Sequence, residues 1–231
     1  MNEKISIILS TYNEKESIEK TIRKIFEQID NTEIVVVDDN STDGTLEILN
    51  NIQNPNLKIY SRKSRGLASA FLLGMINSSG NYVGWIDSNM PQLVPFFNDM
   101  KKKLAENDLV LLSRYVKDGG DERSYLRVMS SKIINFVCRL ILSNKIKDYT
   151  SSIFLMHRNK LGLAVPIAYG HGEFFIEFLY KLQKNGARIS ELAYIQPPDV
   201  EGSKTASNIF RFLKLGLDYM IRILITRFRN N

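Results

Sequence analysis

Two adjacent carboxylates close the apolar run Ile34-Val-Val-Val-Asp-Asp39, and the turn-forming Asn40-Ser-Thr-Asp-Gly44 follows at once. A third acid, Asp87, ends a second apolar run at Tyr82-Val-Gly-Trp-Ile86, with Asn89 two residues beyond it. Acids at the ends of several strand-like runs suit a site that grips a base or ribose and a metal-bound diphosphate, since hard cations prefer oxygen ligands. Further along, Arg127 and Ser131 are four residues apart in a helical pattern and so share one face. A guanidinium fork on that face could bind a phosphate through two parallel hydrogen bonds. The glycine-rich signatures G-x-G-x-x-G and G-x-x-x-x-G-K-[ST] are both absent, which argues against a dinucleotide oxidoreductase or a P-loop NTPase. The single cysteine, Cys138, excludes an internal disulfide and a cysteine-rich metal site. It reads as a small packed side chain. His157 and His171 have no sequence partner that points to catalysis and read as structural or surface residues.

These groups need a scaffold that brings them together. Strand-like runs begin near positions 5, 34, 57 and 82, with a helical pattern in each gap. That spacing predicts βαβ units, parallel strands buried on both faces, and loops at the strands' carboxyl ends that share one crevice. The fold class is therefore α/β, a Rossmann-like and mainly parallel sheet flanked by helices. A helix is predicted over Pro91 to Glu106, a fifth strand over Asp108 to Ser113, a polar loop from Arg114 to Ser124 and an amphipathic helix from Leu126 to Leu142. On that helix Arg127, Ser131, Lys132, Asn135 and Arg139 share one arc, and Leu126, Met129, Ile133, Val137 and Leu140 fill the opposite one. A short apolar run, Ile153 to Met156, precedes a helix over Glu173 to Lys184 and a strand over Ala187 to Ile195.

The 231 residues, 44% hydrophobic and 24% charged, can bury one substantial core. The formal charge of +6 is concentrated near the end: Ser203 to Asn231 holds six Lys or Arg against one acid, Asp218. The division expected is 1–205 as a catalytic domain and 206–231 as a basic amphipathic C-terminal helix. In that helix Arg211, Lys214, Asp218, Arg222 and Arg229 form a narrow polar stripe beside a wide apolar face. No run reaches the roughly 18 apolar residues of a membrane span. Two readings of the tail stand: a helix lying in a membrane surface, or one packed on the core or on a second subunit. Nucleic acid is not an expected partner, because the tail lacks interleaved aromatics for base stacking. The first strand follows Met1 so closely that no signal peptide is expected.

Seven stretches in order resemble family 2 glycosyltransferases of GT-A fold, and most of all the dolichol-phosphate mannosyltransferase-like branch. They are Ser10-Thr-Tyr-Asn-Glu14, Val37-Asp-Asp-Asn-Ser-Thr-Asp-Gly-Thr45, Arg65-Gly-Leu-Ala-Ser-Ala70, Gly80-Asn-Tyr-Val-Gly-Trp-Ile-Asp87, Ser113-Arg-Tyr-Val116, Asp148-Tyr-Thr-Ser151 and Gly202-Ser-Lys204. The resemblance implies a donor site at Thr11, Tyr12, Glu14, Asp39, Arg65, Gly66 and Asp87. Asp39 would accept hydrogen bonds from the base, while Asp38 is the structural member of the pair. Asn40 and Asp43 would cap the next helix near Thr45. Arg65 and Gly66 would approach the diphosphate, a solvated basic loop being the alternative. Asp87 matches the first acid of a D-x-D motif for Mg²⁺ or Mn²⁺, but Asn89 replaces the second acid and brings no charge.

For the acceptor, the same resemblance places a lipid phosphate on Arg114, Arg127, Ser131 and Lys204, with Asp87, Arg114 and Arg127 carrying catalysis. The implied reaction is an inverting transfer of a hexose from GDP-mannose or UDP-glucose to polyprenyl or dolichyl phosphate. An ionised phosphate acceptor needs no general base. The expected setting is the cytoplasmic membrane face, reached through the 126–142 helix and the tail. A separate membrane subunit or a second copy of the chain would assist. The competing readings are transfer to a polysaccharide hydroxyl, with Asp121 or Glu122 as base, and an inactive nucleotide-sugar-binding homologue.

Overall fold

The computed structural model describes residues 3–198 and 209–229, with only the backbone described for 209–213. Its first half alternates strand and helix: β1 (Ile5–Thr11), α1 (Ile18–Gln28), β2 (Thr32–Asp38), α2 (Thr45–Asn51), β3 (Leu57–Ser61), α3 (Leu67–Asn77) and β4 (Tyr82–Trp85). Every residue of β2 is buried, as expected for a strand covered by helices on both faces. On α1 the inward stripe is Ile18, Ile22 and Ile25, and Glu19 pairs with Arg23 on the outer side. Gly44 takes a left-handed conformation (φ 98°) to turn the chain from β2 into α2. At Gly84 a Cβ would sit 2.7 Å from the Phe97 ring, so this glycine lets the next helix close onto the sheet.

The second half comprises α4 (Phe96–Lys103), β5 (Leu109–Ser113), β6 (Gly120–Asp121), α5 (Tyr125–Ile141), β7 (Phe154–His157), α6 (Phe174–Lys184), β8 (Ile189–Ala193), β9 (Ile195–Gln196) and α7 (Ile209–Arg229). The helix predicted over Pro91 to Glu106 is split into a 3₁₀ turn at Pro91–Leu93 and α4. Pro95 lies between them and has no N–H to donate to the preceding turn. Seven strands form one sheet in the order β3-β2-β1-β4-β7-β5-β8, and β6 pairs with β9 apart from it. Only β7 runs against its neighbours in the main sheet. Because β4 and β5 are both antiparallel to β7, they point the same way, and the ends of β1 to β5 reach one edge.

One face of the sheet carries an aromatic core. Phe71 meets Trp85 edge-on at 4.8 Å between centroids, and Phe154 stacks on Phe175 at 5.3 Å. The opposite face packs aliphatics of α1 and α4, among them Ile22, Ile25 and Met100.

Both amphipathic helices leave much of their apolar surface exposed. On α5 the fully buried residues are Ser131, Asn135 and Cys138. Much of the apolar arc faces outward, with Leu126, Ile133, Phe136 and Leu140 exposed, the last by 74%, while Val137 packs against the core. On α7 the buried positions among the described side chains are Ile223 and Thr226, while Leu217, Ile221, Leu224 and Phe228 are exposed, the last by 76%. Arg222, assigned from sequence to the outer polar stripe, turns inward to Glu177 on α6 at 3.3 Å. Arg227 donates to the Tyr180 hydroxyl at 3.3 Å. A charge buried between helices overrides the rule that polar arcs face water, because Glu177, itself 1% exposed, demands cationic partners.

Candidate active site

The register levels the groups at the sheet's carboxyl edge. Thr11 pairs with Asp38, and Asp38 with Ser61. Trp85, the last residue of β4, pairs with Ile8 of β1, and Asp87 follows two residues later.

Asp38 is consumed locally. Its carboxylate accepts hydrogen bonds from the hydroxyls of Thr11 and Ser41 at 2.9 and 2.5 Å and from the Ser41 N–H at 3.0 Å. Asp43, one residue before the N-cap Gly44, accepts the first N–H of α2, that of Thr45, at 3.0 Å, while Asn40 adopts a left-handed turn conformation. Asp39 faces the β3–α3 loop, accepting from the Gly66 N–H at 2.8 Å and Arg62 Nε at 2.5 Å. Arg62 also donates to the Gly66 carbonyl at 2.7 Å and to Ser69 Oγ at 2.8 Å, which fastens the loop down. Arg65 lies over the Tyr12 ring, 3.4 Å from its centroid. Glu14 is tied by its backbone N–H to the Thr45 hydroxyl at 2.9 Å. Tyr12, Asp39, Arg65 and Gly66 are thus neighbours, as the sequence predicts of a donor site, and Arg62 joins them. Its part was not legible from sequence, where it is one of three cations in Arg62-Lys63-Ser64-Arg65.

After β4, the Thr21 hydroxyl of α1 donates to the Ser88 carbonyl at 2.6 Å and holds the Asp87–Asn89 turn against the helix. Burial raises the pKa of Asp87, with His171 and Trp85 opposing that rise. His171, set aside from sequence, is therefore an electrostatic neighbour of Asp87. Among the described residues no group of three or more His, Cys, Asp or Glu could hold a metal by itself. A carboxylate raised by burial is nevertheless a group that a cation would relieve, and the Asp87 carboxylate and Asn89 amide are oxygen donors of the kind that Mg²⁺ or Mn²⁺ takes, if diphosphate oxygens complete the set.

Beyond β5 lies a buried ionic network. Arg114 donates from Nε and Nη2 to the two oxygens of Asp148, both at 2.8 Å, and from Nη2 to Thr150 Oγ1 at 2.7 Å. Its Nη1 is 3.5 Å from Asp121. The Arg114 side chain is only 3% exposed. Burial would lower its pKa, but Asp148 drives it up, and in return Arg114 holds Asp148 below the usual carboxylate range against burial. Arg123 pairs with Asp121 at 2.6 and 2.8 Å and likewise keeps that acid low. Ser131 lies 3.1 Å from Thr150 Oγ1, and Arg127 is one turn earlier on α5. Arg114 and Ser131 therefore meet through Thr150, at the same sheet edge as the donor-side group but four strands from β2. Lys204 lies outside the described residues. Two surface hollows, one along α1 and one between Lys145 and Ile189, hold none of these side chains.

Against known proteins, the family model described as "Glycosyl transferase family 2" matches residues 6–162. The chain is 34% identical over 169 residues to a dolichol-phosphate mannosyltransferase of Pyrococcus furiosus, covering 67% of this chain and 46% of that protein. It is 32% identical over 145 residues to the Saccharomyces cerevisiae protein of the same name, covering 57% and 53%. It thus spans about half the length of these curated relatives. Among solved structures, glucosyl-3-phosphoglycerate synthase of Mycobacterium tuberculosis, determined with Mn²⁺, UDP and glucosyl-3-phosphoglycerate, superposes with a TM-score of 0.71 at 20% identity. That match covers 97% of this chain and 80% of the synthase, and it shows a shared GT-A fold.

Proposed function

Given that the chain belongs to glycosyl transferase family 2, we propose that it transfers one hexose from a nucleotide sugar to a polyprenyl phosphate with inversion at the anomeric carbon. The observation that carries this reading is the state of the acids on the acceptor side. Asp121 and Asp148 are both locked to arginines and held below the usual carboxylate range, which makes them poor proton acceptors. Glu122 is exposed to solvent. A hydroxyl acceptor would need a base there, whereas a phosphomonoester, with a second pKa of about 6, arrives ionised. This favours the lipid phosphate over a polysaccharide hydroxyl.

Asp39 and Tyr12 receive the base, with Arg65 moving from the Tyr12 ring towards the diphosphate. Asp87 and Asn89 would hold Mg²⁺ or Mn²⁺ together with diphosphate oxygens, and such a cation would offset charge on the departing nucleotide. Arg127 and Ser131 orient the acceptor on one helix face, and Lys204 closes over it. Arg114, committed to Asp148, fixes the Thr150–Ser131 end of α5 and adds positive potential. GDP-mannose is the first donor to try, after the named relatives, and UDP-glucose the second. The test is a transfer assay with purified protein, radiolabelled donors, a polyprenyl phosphate and Mn²⁺. Labelled lipid is expected, and none with any donor sinks the reading. An inactive binding homologue is the second reading, favoured by Asn89. It predicts nucleotide binding in calorimetry that does not respond to metal.

The outward apolar faces of α5 and α7 support attachment to the cytoplasmic membrane surface, where the acceptor resides. Lys132 and Lys214, both exposed, would meet anionic headgroups. No described helix is long and apolar enough to cross a membrane. Flotation with anionic vesicles is expected. A protein that stays in the aqueous layer and dimerises, or that binds only with a membrane subunit, overturns direct attachment.

A further inference from the structure

Proton counting around Thr150 exposes an unspent donor. Asn135 accepts the Tyr149 N–H at Oδ1 (2.6 Å), which fixes its amide so that Nδ2 donates to Thr150 Oγ1 at 2.9 Å. Arg114 Nη2 donates to the same oxygen at 2.7 Å. A hydroxyl oxygen has two lone pairs, and these two donors use both. Thr150's own hydrogen then goes to Asp148 Oδ1 or to Ser131 Oγ, each 3.1 Å away. In neither arrangement can Ser131 donate to Thr150, so among the described residues its hydrogen has only the Tyr115 hydroxyl to turn to.

Beside it is a second hydroxyl of the same kind. Tyr115 follows Arg114 directly, and the Arg114 guanidinium carbon lies 5.2 Å from its ring centroid. The Tyr115 oxygen is buried and has no group at hydrogen-bond geometry. Burial raises its pKa, and Arg114 and the Ser131 hydroxyl, near enough to share a hydrogen with it, moderate that rise. A buried O–H left without an acceptor is costly, about 1–3 kcal/mol. Tyr115 and Ser131 can satisfy only one of their two hydrogens between them, and the other is left over next to a buried guanidinium, one helical turn from Arg127.

The geometry points to Tyr115 as a further acceptor-binding residue: its phenol O–H, with that of Ser131, donates to the anionic oxygens of the acceptor's phosphate. This rests on the phosphate-acceptor reading above and adds a residue to it. A cradle of hydroxyl hydrogens has lone pairs to offer a protonated guest only by rotating away from it, so it favours an oxygen-rich, fully ionised group.

The experiment compares wild type, Tyr115→Phe and Ser131→Ala as full chains. It uses calorimetry with a short-chain polyprenyl phosphate in detergent micelles, with inorganic phosphate, and with GDP and UDP, alongside thermal melting. Tyr115→Phe removes one O–H and no packing volume, so acceptor affinity is expected to fall about tenfold, the worth of a hydrogen bond to a charged group. Nucleotide affinity should hold, and the melting temperature should stay level or rise. A purely structural hydroxyl gives the reverse: acceptor binding kept and melting lowered. Wild-type acceptor binding that Tyr115→Phe retains overturns this inference alone, as does a matching loss of nucleotide affinity. A wild type that binds neither polyprenyl phosphate nor inorganic phosphate removes the acceptor reading and this inference with it.

Discussion

The two edges of the sheet each carry a buried charge, and they handle it differently. At the amino edge Glu33, fully buried, accepts from Ser6 Oγ at 2.6 Å, Lys4 Nζ at 2.8 Å, Ser79 Oγ at 2.8 Å and the Ser79 N–H, with Lys58 Nζ at 3.1 Å. Ser6 in turn accepts the Gly80 N–H at 2.7 Å. Every lone pair of the acid is met by a local donor, and the two lysines remain about a third exposed. At the carboxyl edge the buried charge is a cation, Arg114, boxed in by Asp148 and Asp121, and a hydroxyl hydrogen beside it is left over. The first knot closes on itself and ties β1, β2 and β4 together. On the proposed reading, the second is finished only when an anionic acceptor arrives. Capacity left unspent, rather than burial or charge as such, separates a site from a brace.

Removing the central acid at each edge is the strongest way to break this contrast. Asp148→Ala strands Arg114 with no solvent to turn to and should cost about 3–5 kcal/mol, read as a large drop in denaturant midpoint. Glu33→Gln keeps the shape and leaves lysines that can swing into water, so about 1–3 kcal/mol is expected, with nucleotide binding intact. Equal costs would mean that the two networks are the same kind of structure.

Titration sharpens the contrast through its sign. Burial raises Glu33, but its hydrogen bonds from Lys4, Ser6 and Ser79 outweigh that and pull it well below its ordinary 4.5. Asp108, held by Arg188 and Lys160 against burial, falls from 3.8 to about 2. Groups with depressed folded pKa values stabilise fully above their unfolded values, and that stability is lost as pH falls through the folded ones. Melting temperature should therefore decline from roughly pH 4.5 towards 2, and Glu33→Gln should flatten that decline. Asp87 has the opposite sign. Its raised folded pKa means that folding is penalised as pH rises through that value, so Asp87→Asn should stabilise the apo protein at neutral pH by about 0.5–2 kcal/mol. A destabilised Asp87→Asn would show that the acid is a brace after all.

What the sequence revealed divides along the same line. Apolar runs ending in Asp38-Asp39 and Asp87 were enough to place the strands, their parallel course and the acids at one edge, because a strand buried on both faces reads as an unbroken apolar run. The place of Asp43 at the start of α2 and the structural role of Asp38 follow from turn chemistry within a few residues. The orientation of α5 and α7 was not legible. Helix amphipathicity assigns the polar arc to water, and here Ser131, Asn135 and Arg222 face inward because Asp148 and Glu177, distant in sequence, require them there. His171 and Arg62 were passed over for a related reason: their partners lie 84 and 23 residues away and are adjacent only once the sheet is built.

The smallest effects test the periphery. Lys58, 37% exposed, is the second cation on Glu33, and Arg123, 16% exposed, is the nearer cation on Asp121. Lys58→Ala should cost about 0–1 kcal/mol, since Lys4 still holds the acid and water takes the vacated place. Arg123→Ala leaves Asp121, whose side chain is 3% exposed, with Arg114 at 3.5 Å as its remaining ion-pair partner among the described residues. Its pKa should climb and its carboxylate should draw Arg114 partly away from Asp148. Because Arg114 also holds Thr150, that shift would reach Ser131 and weaken acceptor binding without touching donor binding. A brace passes nothing on when its outer member is cut, so Lys58→Ala should leave both affinities where they were.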